Sequence, residues 1–213
     1  MDLLSIAASN AAPVVGLSST LNELEAIDAF RRHDAGWVRR LRQPRLRSIA
    51  CVFVPYYLFH VQIEDVGRRQ TGLFAVDAMG GTLDPYRFER NPPDPSVQLI
   101  ESHNRLTPRV EPEAAWPILV DKLRRAVFQT GFFRLRSPRF SRENEPLTLH
   151  LPYWVGFYAD GPFVRLGVLD AVRKRFEGAK ARALFETWLA DPVGGARLGR
   201  AAASGLHAAS PDE

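Results

Sequence analysis

The stretch "VFVPYYLFHV" at residues 52–61 has a counterpart in "LHLPYWVGFY" at residues 149–158. Both contain Pro-Tyr followed by a second aromatic residue inside an apolar run, and runs rich in aromatic and β-branched residues are typical of β-strands. Because side chains alternate between the two faces of a strand, both faces of each strand are largely apolar. We therefore expect helices to cover one side, and the other half of the chain, a second subunit or a ligand to cover the other.

The proline in each strand, Pro55 or Pro152, cannot donate a hydrogen bond to a neighbouring strand. We therefore expect it at a sheet edge, at a strand start or at a bulge that redirects the next aromatic side chain. Two interpretations of the aromatic residues follow. In the first they fill the core and hold the two halves of the chain together, and in the second they line a groove for a partner. The candidate groove residues are Tyr57, Phe59, Trp154 and Tyr158.

Further landmarks recur in the same order in both halves of the chain. The sequence "FAVDA" at 74–78 matches "GVLDA" at 167–171, and each follows a turn-like segment at the end of the aromatic strand. A helical pattern of apolar residues precedes each aromatic strand. We therefore predict an internal duplication, in which residues 20–84 and 113–171 superpose as helix–strand–strand units about a pseudo-twofold axis.

The predicted fold class is α+β, with an antiparallel sheet packed by helices. Thr20 and Glu23 predict a capping box at the start of the first helix. Apolar residues at helical spacing in "EGAKARALFETWLAD" predict an extra C-terminal helix, and the proline cluster at 92–95 predicts a linker. The predicted segments are an N-terminal extension (1–19), a first repeat (20–91), a linker (92–112), a second repeat with the extra helix (113–190) and a flexible tail (191–213).

The composition sets limits on the function. The 213 residues are 46% hydrophobic and 24% charged, which is typical of a globular protein. The one cysteine, Cys51, excludes an internal disulfide and a cysteine-rich zinc site, and its apolar neighbours predict a buried, unreactive thiol. No run approaches the roughly 18 apolar residues of a membrane span, and the N-terminus lacks the basic region of a secretory signal. We therefore expect a cytoplasmic protein with no membrane partner.

Two arginine-rich segments precede the aromatic strands, and the chain has a net charge of +4. If the halves are repeats, we expect their arginines to form one broad positive surface that binds nucleic acid through phosphates, without sequence preference. Exposed Tyr57 or Trp154 would then stack on bases. In the alternative interpretation, the guanidinium groups pair with acids such as Asp34, Glu143 and Glu145. The candidate arginines are Arg39, Arg40, Arg42, Arg45, Arg47, Arg134, Arg136, Arg139 and Arg142.

No local motif predicts a catalytic residue, a metal site or a cofactor. The five histidines lack metal-ligand spacing, and "DAMGGTLD" at 77–84 lacks the features of phosphate-binding loops. His60 and Asp77 would form a general-base pair if they met across a hairpin, but Phe157 replaces the histidine in the second half. We instead expect Asp77 and Asp170 to accept hydrogen bonds from the turns that follow them. An enzyme whose groups converge from distant positions is the remaining catalytic hypothesis.

The segment from Tyr56 to Asp84 resembles the PepSY-type module, in which an aromatic strand and a turn precede a strand ending in hydrophobic-Asp-Ala-x-x-Gly-x-hydrophobic. The second half keeps Leu169, Asp170 and Ala171 but lacks the glycine, so the resemblance extends to a tandem only in part. It implies a small α+β binding or regulatory module. We therefore expect a non-enzymatic protein that binds a protein partner or self-associates. The matching residues of the first half are Val76, Asp77, Ala78, Gly81 and Leu83.

Overall fold

A computed structural model of the chain describes residues 13–34, 45–65, 68–89, 97–129, 138–160 and 163–191. These residues form an α+β fold of three helices and one mixed, mostly antiparallel sheet of nine strands. Residues 192–213 of the predicted tail (191–213) and the proline cluster lie outside the described residues. The helices are α1 (Glu23–Asp34), α2 (Pro112–Gln129) and α3 (Ala179–Ala190). The strands are β1 (Val14–Leu17), β2 (Arg45–Asp65), β3 (Arg68–Asp77), β4 (Tyr86–Phe88), β5 (Val97–Ile100), β6 (Arg139–Arg142), β7 (Leu147–Asp160), β8 (Phe163–Asp170) and β9 (Arg175–Phe176).

The two aromatic stretches form the middle of the sheet. They lie in β2 and β7, which pair antiparallel and place Val54 opposite Leu151. The strand order is β4-β3-β2-β7-β1-β5, with β6 beside the end of β2, β8 beside β7 and β9 beside β8. The sheet is mixed, contrary to the antiparallel prediction, because Gly16 of β1 pairs in parallel with His150 of β7. The strands β1 and β5, each of four residues, lie in the predicted extension and linker, and their length is too short for a clear sequence pattern.

Helices cover both faces of this sheet. On one face, α2 packs through Leu119 on Phe59 of β2, and α1 packs through Phe30 on Tyr158 of β7. On the opposite face, α3 packs on the strands, with the ring of Phe185 lying 5.9 Å from that of Tyr153. The burial of both faces of β2 and β7 explains why their sequences lack the polar alternation of half-exposed strands.

The start of α1 differs in detail from the sequence prediction. Its capping box joins Asn22 and Glu25: the Asn22 side chain accepts from the Glu25 N–H at 2.9 Å, and the Glu25 carboxylate accepts from the Asn22 N–H at 2.8 Å. The predicted box of Thr20 and Glu23 is wrong. Thr20 instead donates from its N–H and its hydroxyl to the carbonyl of Ala171, which ties the start of α1 to the end of β8.

Candidate functional site

A buried chain of hydroxyl groups joins the two aromatic strands. The hydroxyls of Tyr56 and Tyr153 lie 2.7 Å apart, and that of Tyr153 is also hydrogen-bonded to Tyr86. Tyr86 donates in turn to the carboxylate of Asp170. Each hydroxyl has a single hydrogen. Because Tyr86 donates its hydrogen to Asp170, Tyr86 accepts from Tyr153. Tyr153 has then used its own hydrogen, so it accepts from Tyr56. All four side chains are buried, and burial raises the pKa of the three tyrosines above its ordinary value.

Asp170, at the end of this chain, has further partners that compensate its buried charge. Its carboxylate accepts from the N–H groups of Val172 at 2.9 Å and Arg173 at 2.8 Å. The Arg173 guanidinium lies 3.4 Å from the centre of the Tyr86 ring and donates to the Pro85 carbonyl at 2.8 Å. Because all four side chains are buried, the network links β2, β7, β4 and the turn after β8 within the core.

The other residues of each Pro-Tyr-aromatic tripeptide also make structural hydrogen bonds. The Pro55 carbonyl accepts from the Ala78 N–H at 2.9 Å. The Tyr57 hydroxyl donates to the Val110 carbonyl, just before α2, at 2.9 Å. In the second tripeptide, the Trp154 indole N–H donates to the Leu21 carbonyl, just before α1, at 3.3 Å. The second aromatic residue of each tripeptide therefore hydrogen-bonds to the segment that leads into a helix.

These contacts favour the core interpretation of the aromatic residues. Tyr57, Phe59 and Tyr158 are buried, and Trp154 is partly buried with its indole nitrogen hydrogen-bonded. In the part of the chain that the structure describes, these four side chains pack against other residues of the same chain.

Asp77 organises the turn after β3, as the sequence predicts. Its buried carboxylate accepts from the N–H groups of Met79, Gly81 and Leu83 at 3.2, 3.0 and 2.8 Å. Burial raises the pKa of Asp77, and the three N–H donors oppose that shift. Gly81 has φ of 65°, and a Cβ at this position would collide with the Ile118 side chain of α2. A glycine at position 81 is therefore favoured both by the backbone angle and by the helix packed on it.

The hypothetical general-base pair of His60 and Asp77 does not form. On the β2–β3 hairpin, Asp77 lies opposite Tyr56, whereas His60 lies opposite Leu73. His60 and Asp77 are therefore four residues, or about 13 Å, apart along the direction of the strands.

The described candidate arginines lie in two groups near opposite ends of β2. Arg45 begins β2, opposite Ala159, whereas Arg139 lies beside Glu64, near the other end of β2. These positions are about 60 Å apart along the strand. Arg142 pairs with Glu113 through two contacts of 2.8 and 2.9 Å. Arg47 lies two residues after Arg45, at the start of β2. Five candidates lie outside the described residues: Arg39, Arg40, Arg42, Arg134 and Arg136.

An exposed apolar edge lies at the β5 end of the sheet. β5 pairs with β1, and no strand among the described residues pairs with its other side. Leu99 is 69% exposed and Val97 is 37% exposed, and both lie on one face of the strand. The outer edge of β3, in contrast, carries the exposed Arg68 and Arg69. Charged residues protect a sheet edge from pairing, and β5 lacks them. No sequence pattern predicts this edge, and its only signal is the apolar "VQLI" inside the predicted linker.

No protein-family model, curated protein or solved structure matches the chain. Within the described segments, no cluster of three or more histidine, cysteine or acidic residues is arranged to hold a metal ion. None of the helices that the structure describes is long and apolar enough to cross a membrane.

Proposed function

We propose that this protein is a non-enzymatic binding, regulatory or scaffold protein that acts through protein–protein contacts. The observation that carries the proposal is the outer edge of β5, where Val97 and Leu99 are exposed and no strand of the described residues pairs with the backbone. An edge strand of this kind accepts an extended segment of another chain as an additional strand. The backbone supplies hydrogen bonds in such a contact, and the two apolar side chains supply buried area.

The chemistry of the buried ionisable groups also supports a role without catalysis. Asp77 and Asp170 are 1% and 0% exposed, and their carboxylates are occupied by backbone N–H groups. Burial lowers the pKa of Lys122, whose amino group donates to the Leu83 carbonyl at 2.7 Å. Perturbed groups that face a cleft are candidates for catalysis, but these groups act within turns and the core.

Nucleic-acid binding through arginine clusters is the alternative function, and the described arginines give it less support. Arg45 and Arg139 lie near opposite ends of β2, and Arg142 is neutralised by Glu113. We therefore expect a fluorescent oligonucleotide to show no binding even at about 50 mM salt, where phosphate contacts are strong. Binding that weakens steeply with added salt would favour this alternative instead.

We also propose that the chain contains two copies of one unit, related by a pseudo-twofold axis. The β2–β7 pairing supports this, because Val54 lies opposite Leu151, the residue at the same position in the second aromatic stretch. Tyr56 and Tyr153, which are 97 residues apart in sequence, meet through their hydroxyls. The turn glycine has a counterpart too: Lys174 follows Asp170 at the spacing at which Gly81 follows Asp77, and its φ of 55° is close to the 65° of Gly81.

In this proposal each copy begins with a short strand that pairs with the other copy. Gly16 of β1 lies parallel to His150, and Arg105 forms a parallel bridge with Phe53. Phe53 and His150 occupy the same position in the two aromatic stretches. The unit is then strand–helix–strand–strand, one strand longer than the helix–strand–strand unit predicted from the sequence.

The helices support the same reciprocal arrangement. α1 packs on Tyr158 and Leu169 of the second half, and α2 packs on strands β2 and β3 of the first half. We therefore expect the two halves to unfold in a single transition, because neither has a complete core alone. Circular dichroism and tryptophan fluorescence should give coincident denaturation curves, and two separate transitions would contradict the interlocked arrangement.

A displayed library of random ten-residue peptides tests the proposed function on the full chain. We expect selected peptides to bind the native protein and to lose binding in the Leu99→Lys variant, whose new charge blocks strand addition. Leu24→Lys is the matched control, because Leu24 is 74% exposed and lies on α1, away from the edge. If no selected peptide distinguishes the two variants, the β5 edge is not the binding surface.

A further inference from the structure

We infer that the partner of β5 is β5 of a second copy of this chain, paired antiparallel about a twofold axis through Gln98. The inference rests on the proposed function, because it names the occupant of the same edge. The two sheets would join into one continuous sheet across the axis, and the contact would be the same on both copies.

The order of side chains in β5 favours this pairing. In an antiparallel pair centred on Gln98, Val97 of one copy lies opposite Leu99 of the other, and the reverse pair forms on the far side of the axis. Both exposed apolar residues of each copy are then covered by apolar residues on the same face of the joined sheet. Gln98, which is also exposed, lies opposite its own counterpart on the other face, where two amide groups can hydrogen-bond.

The charges favour a second copy as the occupant. β5 contains Val97, Gln98, Leu99 and Ile100, so self-pairing places no like charges opposite each other. The edge of β3 differs, because self-pairing there would bring Arg68 and Arg69 close to the same residues of another copy. The β5 strand therefore lacks the charges that oppose self-pairing at the exposed start of β3.

The pairing of β5 with β1 holds β5 in an ordered position from which a further strand can pair. All four residues of β5 are in register with β1, from Val14 opposite Ile100 to Leu17 opposite Val97. Leu17 and Ile100 are buried, so the inner side of this short strand is fixed in the core. An ordered edge loses less conformational freedom on binding than a mobile one, which favours association. The short contact nevertheless predicts a weak, concentration-dependent dimer.

Sedimentation equilibrium on the full chain over a wide range of concentrations gives the first test. We expect a monomer–dimer equilibrium that Leu99→Lys weakens by about tenfold or more, since two apolar pairs are lost per dimer. Leu24→Lys should leave the equilibrium unchanged within about twofold. Unchanged denaturation midpoints would show that both variants fold, as the exposure of both positions leads us to expect.

Disulfide trapping tests the register in a background in which Cys51 is replaced by alanine. Gln98→Cys places the two thiols directly opposite each other, with Cα atoms about 4.5–5.5 Å apart, which a disulfide can span. Leu99→Cys places each thiol opposite Val97, too far from its counterpart for a bond. We expect Gln98→Cys to form covalent dimers under mild oxidation and Leu99→Cys to form few. The opposite order would overturn the proposed register.

The outcomes separate this inference from the proposed function. A strict monomer whose captured peptides still depend on Leu99 overturns self-association and leaves the β5 edge as a binding surface for other proteins. A strict monomer that captures no such peptide overturns both proposals. A dimer that Leu99→Lys does not weaken, or aggregation without a discrete dimer, overturns pairing through β5.

Discussion

Removal of single hydroxyls from the buried tyrosine chain should have strongly non-additive effects on stability. Within the row of hydrogen-bonded hydroxyls, the Tyr56 hydroxyl has one partner, the hydroxyl of Tyr153 at 2.7 Å. Tyr153 occupies the middle, because it accepts from Tyr56 and donates to Tyr86. The substitutions Tyr56→Phe and Tyr153→Phe remove only an oxygen from side chains that are 0% and 1% exposed, so packing is otherwise retained.

The magnitudes follow from the number of partners. Tyr56→Phe removes one hydrogen bond and leaves Tyr153 with its donation to Tyr86, so we expect a loss of about 1 kcal/mol. Tyr153→Phe removes two hydrogen bonds and leaves the Tyr56 hydroxyl buried without a partner, so we expect a loss of about 2–3 kcal/mol. In the Tyr153→Phe background, Tyr56→Phe removes that unsatisfied hydroxyl. The double variant should therefore be as stable as Tyr153→Phe or slightly more stable.

Urea denaturation monitored by circular dichroism and tryptophan fluorescence measures each free energy of unfolding, with the m value checking that the unfolded state is unchanged. Tyr57→Phe is the control, because Tyr57 lies on the opposite face and donates to the Val110 carbonyl. Its cost should be the same in the wild-type and Tyr153→Phe backgrounds. If Tyr56→Phe also costs the same in both backgrounds, the hydroxyls are not coupled and the proposed direction of donation is incorrect.

Three further predictions concern the turns, a buried histidine and the cysteine. Gly81→Ala should destabilise the protein by at least about 2 kcal/mol in urea denaturation, because φ is positive and α2 is close. Lys174→Gly should stabilise it by no more than about 1 kcal/mol, and the control Gly178→Ala, in open space at the N-cap of α3, should cost no more than about 1 kcal/mol. Burial lowers the pKa of His150, so the unfolded chain binds the proton more tightly than the folded chain. The free energy of unfolding should therefore fall as the pH drops below 6.5. His150→Gln should remove that pH dependence, and an unchanged pH dependence would contradict the assignment to His150. Burial raises the pKa of Cys51 to about 12, so the thiol should alkylate slowly at about pH 8 until the protein is denatured, and rapid alkylation of the folded protein would show an accessible thiolate.

The sequence predicted the elements that have strong apolar patterns. The two aromatic strands, the helices before them and the C-terminal helix are present, because their apolar residues recur at strand or helix spacing over ten or more positions. Asp77 and Asp170 were predicted as turn residues and accept the expected N–H groups. Local patterns sufficed where the interaction itself is local.

Contacts between distant segments were not predictable in the same way. The pairing of β1 with β7 depends on four residues whose partner is more than one hundred positions away, so no periodicity indicates it. The β5 edge was missed for the same reason, and the prolines before it indicated a linker. The hydroxyl chain from Tyr56 to Asp170 needs Tyr86, for which no sequence pattern predicted a role. The separation of Arg45 from Arg139 was not predicted either, because an antiparallel pair places equivalent residues at opposite ends of the strands, not side by side.

Features that occur in both halves of the chain contribute to stability, whereas the candidate functional surface is found among the features that occur once. The Pro-Tyr-aromatic strands, the aspartate turns and the helix entries each recur in both halves, and all of them are engaged within the chain. Among the features found once within the described segments, α3 and Tyr86 are also buried against the sheet. β5 is different, because among the described strands it pairs only with β1, and Leu99 is 69% exposed. An exposed leucine on an uncharged edge strand favours aggregation unless a partner covers it. Selection against aggregation therefore favours either removal of that leucine or regular occupation of the edge, and its presence on an ordered strand supports occupation.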